Sequence, residues 1–123
     1  MQQPNQRAHP RINLAAFAAV SADSGMDPQK EYNAVCVNIS ENGCCLQLND
    51  ILTGADIDFG LEVRIVMPDD MEKRLAAKGD IAWLEELDKN NIGKYLIGVR
   101  FREISPADKE RIRLFIKEEL GKI

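Results

Sequence analysis

The sequence predicts a mainly β domain: a six-stranded antiparallel (split) β-barrel with a C-terminal α-helix and a flexible N-terminal arm. Three observations lead there. About six short apolar runs are separated by clusters of turn-forming residues. One helical pattern follows them at the end of the chain. The first eleven residues are polar, carry Pro4 and Pro10, and show no periodicity. At 123 residues the chain is one domain's worth and can bury a core without staples. A barrel this small is filled by its own side chains, so a ligand is expected to bind outside it.

Each element has its own signal. Residues 1–11 read as the arm and residues 12–123 as the barrel domain. Ile12 to about Val20 forms a weak, alanine-rich strand, and Ser21 to Gln29, with Gly25 and Pro28, a loop. Lys30 to Ile39 is a second strand, rich in β-branched and aromatic residues. Asn38 to Gly43 has the composition of a turn, and Cys44 to Leu48 resumes as strand. Asn49 to Phe59 is irregular. From Gly60 to Met67, Leu61, Val63, Ile65 and Met67 alternate with Glu62 and Arg64. Pro68-Asp69-Asp70 turns the chain into Arg74 to Leu84, where Gly79 suggests a bulge. Glu85 to Lys94 reads as a charged hairpin loop before a last strand, Tyr95 to Phe101. The helix is expected over 105–121. Ser105 can cap it, Pro106 suits its first position, and Asp108 stands where a capping box carries Glu or Gln. Ile112, Phe115, Ile116 and Leu120 fall on one face; Arg111, Arg113, Lys117, Glu118 and Glu119 mostly face water.

Composition narrows the function. The formal net charge is −4, which argues against a broad surface for DNA or RNA. No acidic residue precedes Asp23, yet Arg7, His9 and Arg11 lie in that stretch. The arm is therefore a local cation on an acidic protein, suited to a small anion. No apolar run is long enough to insert in a membrane, and the N-terminus lacks a signal-peptide pattern. Cys36, Cys44 and Cys45 make no disulfide framework, and a cytoplasmic location is the simplest expectation. Their spacing is wrong for a tetrahedral zinc site, so no metal and no cofactor are expected. Nothing combines two carboxylates and a histidine into a catalytic set, so no enzymatic activity is expected. Glu85, Glu86 and Asp88 read as a solvated hairpin tip.

Two motifs carry chemistry. Arg7-Ala8-His9-Pro10-Arg11 is an R-x-x-x-R. Arginine offers a planar fork of donors that matches phosphate and the O6/N7 edge of guanine. Pro10 opposes a helix, so the two arginines would straddle a compact ligand from an extended arm. Asn38-Ile39-Ser40-Glu41-Asn42-Gly43 is an N-x-S-x-x-G. Asn38 presents donor and acceptor, Ser40 a hydroxyl, and Gly43 tolerates positive φ and close approach. Alone, the first motif is usually solvated and the second usually a tight turn. His9 could touch ligand, but exposure is its plainer reading. Trp83 could be core or ligand wall.

Together these motifs resemble the PilZ domain, a bacterial receptor for cyclic di-GMP, whose pattern is R-x-x-x-R followed by D/N-x-S-x-x-G. The resemblance continues through Gly79-Asp80-Ile81-Ala82-Trp83, through Tyr95 to Phe101, and into the helix. It implies that Arg7 and Arg11 grip phosphates and guanine edges. It implies that Asn38 and Ser40 read a guanine while Gly43 lets the turn close beneath it. Trp83 matches a position beside the ligand in some members. Asn38 replaces the commoner aspartate and loses its charge assistance. Gln6 occupies the neighbour position that influences whether one ligand or a stacked pair binds, and favours neither. The resemblance implies a downstream protein partner in motility, biofilm or exopolysaccharide control. The rivals are a flavin-using split-barrel enzyme and a ligand-free adaptor; intact Arg7 and Arg11 argue against the adaptor.

Overall fold

Leu61, Val63 and Ile65 alternate with Glu62, Arg64 and Val66, and the structure buries the first set completely. The same period-2 logic builds six strands. The structure, a computed structural model, describes residues 11–22, 31–48, 60–86 and 95–121. Its elements are β1 (Ile12–Ala22), β2 (Glu31–Ser40), β3 (Gly43–Leu48), β4 (Leu61–Val66), β5 (Arg74–Glu86), β6 (Tyr95–Ile104) and α1 (Pro106–Leu120). The strands close into an antiparallel barrel in the order β1-β2-β3-β6-β5-β4, with β4 pairing back onto β1. Closure leaves no free sheet edge. Val20, Tyr32, Ile39, Leu46, Leu48, Leu75 and Ile97 fill the interior together with the expected face of Leu61, Val63, Ile65 and Met67. Among the described residues no helix is long and apolar enough to cross a membrane.

Strand limits differ from expectation at several places: β1 runs on to Ala22 and β6 to Ile104, and two further differences concern turn and charge signals. β2 runs on through Ser40, so only Glu41 and Asn42 form the turn to β3. Glu85 and Glu86 belong to β5, paired with Leu96 and Tyr95, rather than to a loop. In both cases ladder pairing with a neighbour outweighs local turn or charge preference.

Bulges set which side chains face out. In β2, Cys36 opposes Leu46 and Asn38 opposes Cys45, so Val37 is an extra residue. Cys36 and Ile39 both point into the core. The extra residue therefore sends Asn38 and Ser40 to the outer face, where unbroken alternation would send Val37 and Ile39. In β5, Ile81 opposes Val99 and Trp83 opposes Gly98, so Ala82 is extra and Trp83 turns outward. A third shift occurs at Gly79, where the sequence predicts a bulge.

Helix α1 buries Ile112, Phe115 and Ile116 in the barrel core, each worth about 1.5–3 kcal/mol if fully covered. Leu120 is 44% exposed rather than part of that stripe. It lies in the last turn, one residue before the C-cap. Ser105 caps the N-terminus by accepting from Asp108 N at 3.1 Å. Asp108 does not return the bond as a capping box would; its carboxylate accepts from Ala76 N on β5 at 3.3 Å. Arg111 does not face water freely. It makes a two-pronged contact with Asp69, at 3.1 and 2.8 Å, and donates to the carbonyls of Asp70 and Lys73. That fork ties α1 to the β4–β5 turn and holds the Asp69 carboxyl below its ordinary pKa.

Arg111→Ala should cost about 1–2 kcal/mol at neutral pH, the range for a hydrogen-bonded charge discounted for partial exposure. Because the folded pKa of Asp69 is depressed, this contribution is complete above the ordinary carboxylate pKa. It fades as pH falls through the folded value. Denaturant titrations across that range should show wild type and variant converging in acid.

Candidate functional site

Register brings distant residues into rows across the outer face of the barrel. Ile12 opposes Ile39, which sets Arg11 beside Ser40 at the start of β1. Ser40 opposes Gly43, Gly43 opposes Arg100, and Arg100 opposes Asp80. A second row runs Asn13, Asn38, Cys45, Gly98, Trp83 across five strands. Between these rows lies a surface pocket of about 510 Å³. Arg11, Ser40, Asn42, Gly43, Cys44, Ala82, Trp83, Gly98, Val99 and Arg100 line it. Its size falls within the usual range for small-molecule sites.

Of the residues expected from sequence, Arg11, Ser40, Gly43 and Trp83 meet at this pocket. Asn38 stands beside it on the second row, through Cys45 next to Gly98. Its Oδ1 is buried with no hydrogen-bond partner among the described residues. An acceptor in that state costs about 1–3 kcal/mol, which a ligand N–H would offset. Gln6, Arg7 and His9 lie outside the described residues.

Of the two properties expected of Gly43, the structure uses close approach and not a positive φ. Its φ is not positive; among the described residues only Gly60 has that conformation. What Gly43 permits is contact: a Cβ there would lie 2.2 Å from the Val99 carbonyl oxygen of β6. The turn is further fixed by Phe101 N donating to Asn42 O at 2.8 Å. Ser40 Oγ donates to Gly43 O at 3.3 Å and accepts from Asn42 N at 3.4 Å. The hydroxyl is thus oriented before any ligand arrives.

Trp83 is not core. It is 40% exposed and its indole packs against Gly98, where a Cβ would fall 2.2 Å from Nε1. The indole is thus braced by Gly98 yet part-exposed at the pocket, an arrangement suited to stacking a base.

Cys44 and Cys45 sit under the hairpin, and both are buried. Hydrogen bonding with Cys36, then burial, pushes the Cys44 thiol well above its ordinary pKa. Burial, then Cys36, raises Cys45. The Arg11 guanidinium opposes both shifts. Both are neutral thiols at physiological pH and act here as packing.

Sequence reasoning missed Arg100, Gly98 and Asn42. The outward alternation of Gly98 and Arg100 in β6 was readable, but nothing local showed that β6 would pair with β3 rather than another strand.

The chain matches the PilZ domain over residues 5–118. It belongs to the PilZ domain family. A search of curated proteins found no match. Among solved structures, this PilZ chain resembles the Bacillus subtilis inhibitor of motility MotI/DgrA, with TM-score 0.72 and 18% identity, covering 99% of this chain and 54% of that one. It resembles the K. pneumonia MrkH–c-di-GMP complex at TM-score 0.74 and 16% identity, covering 99% and 54%. It resembles the PilZ domain of Escherichia coli YcgR with c-di-GMP at TM-score 0.63 and 14% identity, covering 96% and 99%. The chain therefore spans about half the length of MotI and MrkH and nearly all of the YcgR PilZ domain.

Substituting the two site glycines should separate their roles. Gly98→Ala should cost about 1–3 kcal/mol and shift the emission of Trp83, the sole tryptophan, to the red as the indole is displaced. Gly43→Ala should cost at least as much, because its obstacle is backbone, with little change in emission. Thermal melts and fluorescence spectra check both.

Proposed function

We propose that this PilZ protein is a receptor for cyclic di-GMP. The observation that carries the reading is the meeting of Arg11, Ser40, Gly43 and Trp83 at one external pocket, in a chain of this family. Cyclic di-GMP offers two phosphates and two guanines. Arg11, and Arg7 from the arm, supply charge and planar donors for phosphate and guanine edges. Asn38 presents its unpartnered Oδ1 to a guanine N–H, and Ser40 adds a pre-oriented hydroxyl. The open side of Trp83 stacks a base. Phosphate attraction supplies much of the affinity and guanine edges the specificity.

The chemistry is binding, and the protein is not an enzyme. In this reading residues 1–11 close over the ligand against the Asn38–Gly43 strand end, with Gln6 and His9 near the contact. Closure changes the surface offered to a downstream protein. That two relatives were solved with c-di-GMP, and that MotI is an inhibitor of motility, supports a role in motility, biofilm or exopolysaccharide control inside the cell.

Titration calorimetry tests this. Wild type should bind cyclic di-GMP with GMP and cyclic di-AMP much weaker, and Arg11→Ala should lose on the order of 10- to 100-fold in affinity. Trp83 emission should change on binding. Absence of heat with wild type would sink the proposal. Unchanged affinity in Arg11→Ala would remove Arg11 from the site.

A further inference from the structure

Arg100 lines the same pocket as Arg11 and has no ion-pair partner among the described residues. Its position explains why. On β6 it lies directly opposite Gly43 on one side and Asp80 on the other. Gly43 has no side chain to meet it. Asp80 is the natural cross-strand partner, since opposite charges in direct register attract. Yet Asp80 is engaged elsewhere: its Oδ1 accepts from Arg102 Nη1 at 2.6 Å. That pair packs against Gly60, where a Cβ would lie 3.0 Å from both Asp80 Oδ1 and Arg102 Nη1. Gly60 holds a φ of +79° that other residues rarely adopt, so the space for the pair is built into the backbone. A bulge at Arg102 adjusts the β6 register beside it, with Gly79 opposite Phe101 and Lys78 opposite Glu103.

The row Arg11, Ser40, Gly43, Arg100 therefore puts an arginine on each side of the hairpin. Three strand spacings separate their backbones, at most about 14 Å, and on its β3 side Arg100 faces only Gly43. We infer that Arg100 is a phosphate-binding residue of this site, kept available because Arg102 occupies Asp80. The inference rests on the cyclic di-GMP reading and extends it to a third arginine outside the R-x-x-x-R motif. A ligand with two phosphates can be gripped from the β1 side by Arg11 and from the β6 side by Arg100. Arg102 acts as a positioning residue: it touches Asp80, not the ligand.

Calorimetric titration of the full chain with cyclic di-GMP separates the possibilities. Arg100→Gln should weaken binding on the order of 10- to 100-fold, and Arg100→Lys less, since a point charge still meets phosphate. The deficit of Arg100→Gln should shrink as salt rises, because screening weakens the lost attraction. Arg102→Gln should release Asp80 to Arg100 and weaken binding several-fold, and adding Asp80→Asn should restore it. A purely structural role for Arg102 would not be rescued by that second change. Thermal melts verify that each variant folds. Wild type that binds while Arg100→Gln binds equally well overturns the inference and leaves the receptor reading intact. Wild type that does not bind overturns both. A deficit independent of salt overturns the assignment to phosphate, and an Arg102→Gln deficit that Asp80→Asn fails to repair overturns the Arg102 mechanism.

Discussion

Closing six strands around a packed core leaves each side chain two destinations, the core or the outer surface. Everything at the pocket depends on that alternation and on where it is broken. An extra residue at Val37 sends Asn38 and Ser40 outward while Cys36 and Ile39 stay inside. An extra residue at Ala82 does the same for Trp83 while Ile81 remains against the core. Removing either irregularity would trade a polar or aromatic surface group for a buried one. The interior could not absorb that trade, because it is filled by side chains with essentially no exposure. The bulges are thus joint requirements of packing and of recognition.

Much of the architecture was legible. Strand β4 follows from strict alternation, and α1 from Ser105, Pro106 and its apolar stripe. The failures share a cause: they depend on which segments become neighbours. Arg111 reads as a solvated helix residue until the β4–β5 turn brings Asp69 and two carbonyls beneath it. Asp108 reads as half a capping box until Ala76 N of β5 donates to its carboxylate. Leu120 fits the periodicity, but the barrel ends before it. At the site, the motif residues Arg11, Ser40 and Gly43 were readable from pattern. That Gly43 admits a close approach was readable too, but its partner was not, because the carbonyl it makes room for belongs to Val99, more than fifty residues away in sequence.

The protein is acidic overall, yet its pocket gathers arginines. Local charge survives on an opposite background only if nearby carboxylates are occupied. On the β6 side of the pocket, Asp80 pairs with Arg102; away from it, Glu31 and Glu62 pair with Arg64. These exposed pairs add little stability. The Asp80–Arg102 pair matters instead for what it leaves to Arg100.

The two close-packed glycines constrain descent differently. Gly98 is held by a side chain, the Trp83 indole, so a larger residue there can be accommodated if position 83 shrinks at the same time. Positions 83 and 98 are therefore free to drift only as a pair, exchanging an aromatic wall for a bulkier floor. Gly43 is held by a peptide carbonyl, which no substitution elsewhere can trim. Among related chains the first contact should leave a trace of correlated change and the second one of invariance.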